Sequence, residues 1–167
     1  MKKLLIFDYD GVIVDSLDMM VKVVNKLCRS CNFKHNLSKE EVAALFDVNF
    51  FEGMKKLGID KKEVKKYSHA AMDFLKENGL EPYVEEIIGI EKEASKVKKV
   101  EYCKRKYNVE NEFIFYIGDT RGDMIEGKKG KIKTVAVTWG YYDRRKLEKE
   151  NPDFIVDSPN NLLNLFL

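Results

Sequence analysis

Asp8 and Asp10 stand one residue apart at the end of the apolar run Leu4 to Phe7 and are followed at once by Gly11. An extended backbone projects residues two apart to the same side, so two like charges crowd one small volume. A positive group must offset them. A divalent ion such as Mg²⁺ does so while leaving one carboxylate to attack as a nucleophile and the other to handle protons. A second acidic pair, Asp119 and Asp123, follows the apolar run Phe113 to Ile117 in the segment GDTRGD. If the two runs are neighbouring strands of a parallel sheet, four carboxylates converge on one crevice, and an oxygen-rich set favours a hard cation over zinc. Taken singly, Asp119 has an alternative account as a turn residue and Asp123 as a cap at the start of the next helix.

The elements around these residues are legible from periodicity. The unbroken run Leu4 to Phe7 predicts a strand buried on both faces, with the acidic pair at its carboxyl end, where open α/β sheets place their ligands. Asp15 or Ser16 can cap a helix whose apolar positions Leu17, Met20, Val21, Val24, Leu27, Cys28 and Cys31 keep a helical period. Ser38 with Glu41 three residues on is a capping box for a helix over 39–46. A third helix, around 49–57, stops at Gly58, and Asp60 with Glu63 opens a fourth that runs towards Asn78-Gly79. Residues 17–79 therefore predict helices only, a small helical cap inserted over the site, with 1–16 and 80–167 as the α/β core. In that core, Ile87-Ile88 ended by Gly89 predicts a brief strand, and Ser95 caps a helix from Lys96 to Tyr107. Strands follow at 113–117, 132–137 and 153–156, with helices between them and a last helix behind Ser158-Pro159. Strand alternating with helix means a parallel sheet with helices on both faces.

A chain of 167 residues suits one compact domain with a small insertion. Its 44% hydrophobic and 35% charged residues are ordinary for a soluble globular protein. The net charge of +2 arises from 30 basic and 28 acidic residues spread along the chain, with no tail or stripe that argues for nucleic acid or membrane. An anionic substrate must be attracted locally. No run reaches membrane-span length, and Met1-Lys2-Lys3 leads into a strand rather than a cleavage site, so the expected location is cytoplasmic. Three cysteines, an odd count, fit a reducing compartment. Cys28 and Cys31 lie in a helical apolar pattern without a second ligand pair and read as helix-face residues. His35 and His69 are isolated and are assigned no role.

The segment DYDGVIVDS, followed much later by the lysine-bearing ASKVKK and then IGDTRGD, resembles the haloacid dehalogenase superfamily, in particular its phosphoglycolate phosphatase-like branch. The likeness covers the first 16 residues and most of 87–167, including TWGY at 138–141 and NPDFIVDSP at 151–159. It implies a Rossmann-like core and a Mg²⁺-dependent phosphatase acting on a small phosphorylated metabolite. By the same resemblance, Asp8 is the nucleophile that forms an aspartyl-phosphate, and Asp10 is the acid for the leaving group and then the base for water. Mg²⁺ would be held by Asp8, the backbone carbonyl of Asp10, and Asp119, with Asp123 a direct or water-mediated ligand. Lys96 would contact the phosphoryl group, with Lys98 and Lys99 as nearby competitors, and Gly11, Thr120 and Ser68 are candidates for substrate contact. Phosphoryl transfer requires charge neutralisation, which a metal and a lysine supply. Dehalogenases of the superfamily lack the acid at Asp10 and the metal, so Asp10 points to a phosphoester. A phosphotransferase or sugar-phosphate mutase would use the same residues. A receiver-like phosphoacceptor domain fits poorly with the D-x-D-G spacing and the helical insertion.

The middle departs from the family pattern. The family places a buried strand ending in Ser or Thr between cap and lysine, whereas residues 53–86 contain no run of four apolar residues. Ser68, in KKYSH, offers a hydroxyl there but has the context of an exposed helical serine. GLEPYVEEIIG resembles the family's segment beyond the missing strand and its helix, as if the intervening piece were deleted. Either a contact is gone, leaving a weakened phosphate-ligand-binding protein, or another part of the fold replaces it. Loss of that strand would bring 87–90 beside the first strand or leave an open edge for a second chain, a homodimer. Trp139 and Tyr141, just past a strand's carboxyl end, either line the site mouth or pack beneath the cap.

Overall fold

In the computed structural model, the structure describes residues 2–31, 36–47, 50–59, 70–89, 92–93 and 95–167. Strand β1 (Leu4–Phe7) leads into helices α1 (Leu17–Ser30), α2 (Lys39–Ala44), α3 (Phe50–Lys56) and α4 (Ala70–Glu77). After a 3₁₀ turn at Glu81–Tyr83 come α5 (Lys96–Tyr107), β2 (Ile114–Gly118), α6 (Arg121–Lys129), β3 (Lys133–Val137), α7 (Arg144–Glu148), β4 (Phe154–Val156) and α8 (Pro159–Phe166). The strands form one parallel sheet in the order β1-β2-β3-β4, with Phe7 opposite Ile117, Ile117 opposite Val135, and Val135 opposite Phe154. Side chains alternate across it as the pleat requires. Leu4 and Ile6 pack with Val100 of α5, Ile114 and Tyr116, while Leu5 packs on the other face with Ile117, Val135 and Leu162 of α8.

Two expectations are corrected. The strand β1 is packed on both faces, yet Leu4, Leu5 and Ile6 are only half-buried and Phe7 is 42% exposed. The reason is lateral: among the described residues only β2 pairs with it, and none pairs with its outer edge. Its apolar composition reports contacts above and below the sheet and says nothing of neighbours beside it. The brief strand at Ile87-Ile88 is absent, since residues 84–89 join no ladder. There the Ile87 carbonyl accepts from Lys92 Nζ at 3.1 Å. Glu86 accepts from Tyr102, Lys106 and Tyr107 at 3.0, 2.9 and 3.2 Å, which holds the segment on α5 by side-chain bonds instead.

The helical part has its own apolar cluster, with Val24, Leu27, Cys28, Leu37, Val42 and Met54 at its centre. Asn25 clamps the approach to α2, donating to the Leu37 carbonyl at 3.0 Å and accepting from its N–H at 2.7 Å. The capping box is formed: Glu41 N–H donates to Ser38 Oγ and Ser38 N–H to Glu41 Oε2. A second cluster, Ala43, Met124, Ala136, Tyr142 and Leu147, joins α2 to the sheet.

Candidate active site

The crevice is built where β1 and β2 end. Asp8 N–H donates to the Ile117 carbonyl at 2.9 Å, which extends the ladder one step and sets the carboxylate at the sheet's edge. The chain then folds tightly, with the Ile13 and Val14 N–H groups on the Tyr9 carbonyl and Gly11 N–H on the Val14 carbonyl. Gly11 takes a φ of +78°, and a Cβ there would fall 2.1 Å from Asp119 Oδ2. A Cβ at Gly140 would fall 2.2 Å from the same oxygen. Both positions require glycine so that the loops after β1 and β3 can close on Asp119, which is fully buried.

The carboxylates are imperfectly satisfied. Asp119 Oδ2 accepts from Tyr141 N–H at 2.6 Å, but Oδ1 is buried with no partner among the described residues. Burial, reinforced by the charge of Asp123, pushes Asp119 up to about 8. Asp123 is raised as well, by burial first, although Lys96 pulls it down. Its Oδ2 is taken by a capping box, accepting from Thr120 N–H at 3.0 Å and Thr120 Oγ1 at 2.7 Å. Its Oδ1 faces Lys96 Nζ at 2.5 Å, and the same ammonium donates to Asp8 Oδ2 at 2.8 Å. Burial alone would lower Lys96; the charges of Asp123 and Asp8 outweigh it and hold the group well above its usual value. Oxygens of Asp8, Asp119 and Asp123 lie within 4.8 Å of one another. One lysine for three carboxylates, with a buried oxygen unpaired, leaves a net negative pocket of hard donors. That is the chemistry of a divalent-cation site, and the residues fit Mg²⁺.

Asp10 stands apart. Its carboxylate is not among those three; Oδ1 accepts from Ser16 Oγ at 2.6 Å, and Ser16 Oγ also bonds Tyr141 OH at 2.8 Å. Burial raises Asp10, the Ser16 bond opposes this, and the charge of Asp8 adds to it. Ser16 occupies the N-cap position of α1 but makes no capping bond. Diverting its hydroxyl to Asp10 forgoes a contact worth about 1 kcal/mol.

Of the residues singled out in the sequence, Asp8, Lys96, Asp119 and Asp123 meet in the crevice, and Gly11 lies against Asp119. Thr120 is buried with its hydroxyl engaged in the cap of α6, and Ser68 lies outside the described residues. Lys98 borders a surface groove with Glu86 and Tyr102. Trp139 donates from Nε1 to the Val12 carbonyl at 3.1 Å, tying the loops after β1 and β3 together. Sequence reasoning missed Ser16 as the partner of Asp10 and the Tyr141 N–H as the partner of Asp119. Ser16 carries an N-cap signal, which masks its other use, and a backbone donor carries no residue-type signal at all.

A family model for haloacid dehalogenase-like hydrolases matches residues 5–71 and 64–137. Among curated proteins, a phosphoglycolate phosphatase of Synechococcus elongatus is 36% identical over 50 residues, 30% of this chain and 24% of its own length. One from Vibrio parahaemolyticus is 25% identical over 97 residues, 56% of this chain and 42% of its own. The pyrophosphatase PpaX of Oceanobacillus iheyensis is 24% identical over 66 residues, 40% of this chain and 31% of its own. The chain thus spans less than half the length of these relatives. Among solved structures, a haloacid dehalogenase-like family hydrolase of Streptococcus pneumoniae superposes with a TM-score of 0.78 at 16% identity, covering 99% of this chain and 98% of that one. A hydrolase of Pseudomonas syringae gives 0.73 at 16%, covering 98% and 97%. At such identity the likeness is one of fold.

Proposed function

The chain belongs to the haloacid dehalogenase-like hydrolase family, and on that premise we propose that it hydrolyses a small organic phosphate monoester by way of an aspartyl-phosphate on Asp8. The observation that carries this reading is the convergence of Asp8, Asp119 and Asp123 around the Lys96 ammonium at the carboxyl ends of β1 and β2. Lys96 orients the Asp8 carboxylate and offers positive charge to the incoming phosphoryl group. A carboxylate oxygen of Asp8 forms a bond to phosphorus as the ester P–O bond breaks, and Asp10, whose carboxyl is raised by burial, acts as the acid that passes a proton to the departing alkoxide. Asp10 then takes a proton from water, whose oxygen attacks phosphorus, and the bond to Asp8 breaks to release inorganic phosphate. Asp8, Asp119 and the Asp10 carbonyl would hold Mg²⁺, which would neutralise charge on the phosphoryl oxygens. With Oδ2 in a helix cap and Oδ1 on Lys96, Asp123 serves best through a water or by fixing Lys96.

The test is hydrolysis of p-nitrophenyl phosphate with Mg²⁺, with EDTA, and by Asp8→Asn. Activity that survives both the chelator and the substitution removes the proposal. A second reading, a phosphate-ligand-binding protein with weakened chemistry, draws on the missing Ser/Thr strand and the open flank of β1. Tight phosphate binding without turnover over a broad panel of esters selects it. A phosphotransferase or mutase is separated from a hydrolase by product analysis with a sugar phosphate. The uncharged edge LLIF of β1, unpaired among the described residues, also supports pairing with a second copy, which light scattering reads as a doubled mass. Among the described residues no helix is long and apolar enough to cross a membrane.

A further inference from the structure

Tyr141 touches three parts of the molecule at once. Its backbone N–H holds Asp119 Oδ2 at 2.6 Å, its phenol meets Ser16 Oγ at 2.8 Å, and its ring meets Phe46 edge to face at a centroid distance of 5.1 Å. The direction of the hydroxyl chain is set by proton count. Ser16 has one hydroxyl hydrogen, and it goes to Asp10 Oδ1 at 2.6 Å, so the Tyr141 O–H is the donor to Ser16 Oγ. Each bond in such a relay polarises and aligns the next. Ser16 is at the N-cap of α1, where its hydroxyl would otherwise be drawn to the helix's free N–H groups; it makes no such bond. Something holds it away, and the phenol is the group in place to do so.

We propose that Tyr141 is a positioning residue for phosphoryl transfer: by donating to Ser16 Oγ it fixes the Ser16 hydroxyl on Asp10 and so aims the Asp10 carboxyl at the leaving-group oxygen. The inference rests on the phosphatase reading above and adds a residue that acts only through another. Asp10 hands its proton to the departing oxygen as the P–O bond breaks, so its aim matters in proportion to how badly that oxygen needs a proton. An alkoxide needs it; a nitrophenolate leaves without it.

The experiment compares single-turnover release of the leaving alcohol, with enzyme in excess, from β-glycerol phosphate and from p-nitrophenyl phosphate. Tyr141→Phe keeps the ring on Phe46 and the N–H on Asp119 while removing the hydroxyl. It is expected to slow release from the alkyl ester about tenfold or more and from the aryl ester by less than about threefold, a part of the usual contribution of an acid catalyst. The enzyme concentration that half-saturates the single-turnover rate should stay unchanged for both. Tyr142→Phe is the comparison. Its hydroxyl bonds Asp47 and the Ala43 carbonyl of α2, so it loosens the helical part without touching the relay and should show no dependence on leaving group. Equal losses on both esters in Tyr141→Phe, or the same discrimination in Tyr142→Phe, overturns the proposal. If the unmodified protein cleaves neither ester, the phosphatase reading fails by itself. The relay is then judged by crystal structures of the unmodified protein and Tyr141→Phe: a Ser16 Oγ that leaves Asp10 supports it, and one that remains at hydrogen-bond distance overturns it.

Discussion

Two acid–lysine clusters lie along helix α5, and they are built on opposite principles. At one, the single carboxylate of Glu86 faces Lys92, Tyr102, Lys106 and Tyr107, and this surplus of donors, the Lys106 bond foremost, depresses it to about 2. At the other, the single ammonium of Lys96 faces two carboxylates with a third beside them, Asp119 and Asp123 are raised, and one buried oxygen has no donor among the described residues. The first cluster is closed and needs nothing further. The second is short of positive charge around carboxylates that burial already disfavours as anions, which fits a site for a cation. Counting donors against acceptors thus separates a fastening from a reactive centre where residue types alone do not.

Perturbing the two clusters should give effects that differ in size and kind. The largest comes from Asp8→Asn, which removes the proposed nucleophile and should lower turnover by about 10⁴-fold or more while leaving the folded state intact, as read by phosphate release and circular dichroism. Lys96→Met should cost on the order of 10²-fold in kcat. It also leaves Asp8 and Asp123 unneutralised in a buried crevice, so a lower Tm in metal-free buffer should accompany it. Metal removal comes next. The carboxyl of Asp119, normally near 3.8, is raised to about 8 in the metal-free protein. The folded state binds that proton more tightly than the unfolded chain does. Its contribution to stability is therefore complete below about pH 4, declines as pH rises and is gone above about pH 8. Mg²⁺ must displace the proton, so the rise in Tm on adding Mg²⁺ should be larger at pH 8 than at pH 5, and EDTA should abolish it. The smallest effect belongs to Glu86→Gln. A depressed carboxyl stabilises above its unfolded value near 4.5 and loses that contribution as pH falls through about 2. The variant should lower Tm by a few degrees at most near neutrality, differ less from the parent near pH 2, and leave turnover unchanged.

The acidic residues of the crevice were legible because their meaning lies in spacing: Asp8 and Asp10 share a side only in extended chain, and two apolar runs ending in acid belong side by side in a parallel sheet. Lys96 was preferred to Lys98 and Lys99 through the resemblance, and the fold brings its ammonium to Asp8 and Asp123. Which of its two expected settings β1 takes, an open edge or a neighbour in 87–90, was not legible, since LLIF describes what lies above and below a strand. Nor was the fate of 84–89, where Ile87-Ile88 suggests a strand but Glu86 and Lys92 take the segment's polar groups. Ser16 shows the limit most clearly. An N-cap serine and a serine that orients an acid are the same letter, and only the tight turn over 9–14 decides between them.

The two glycines pressed against Asp119 have a consequence for how such a chain can change. Positions 11 and 140 lie far apart in sequence, yet a side-chain carbon at either would land on the same carboxylate oxygen. A saturation scan of the gene should therefore show a pair of invariant columns with no tolerance even for alanine, coupled through an atom that belongs to neither. At these two points the protein's room for variation is narrower than a methyl group.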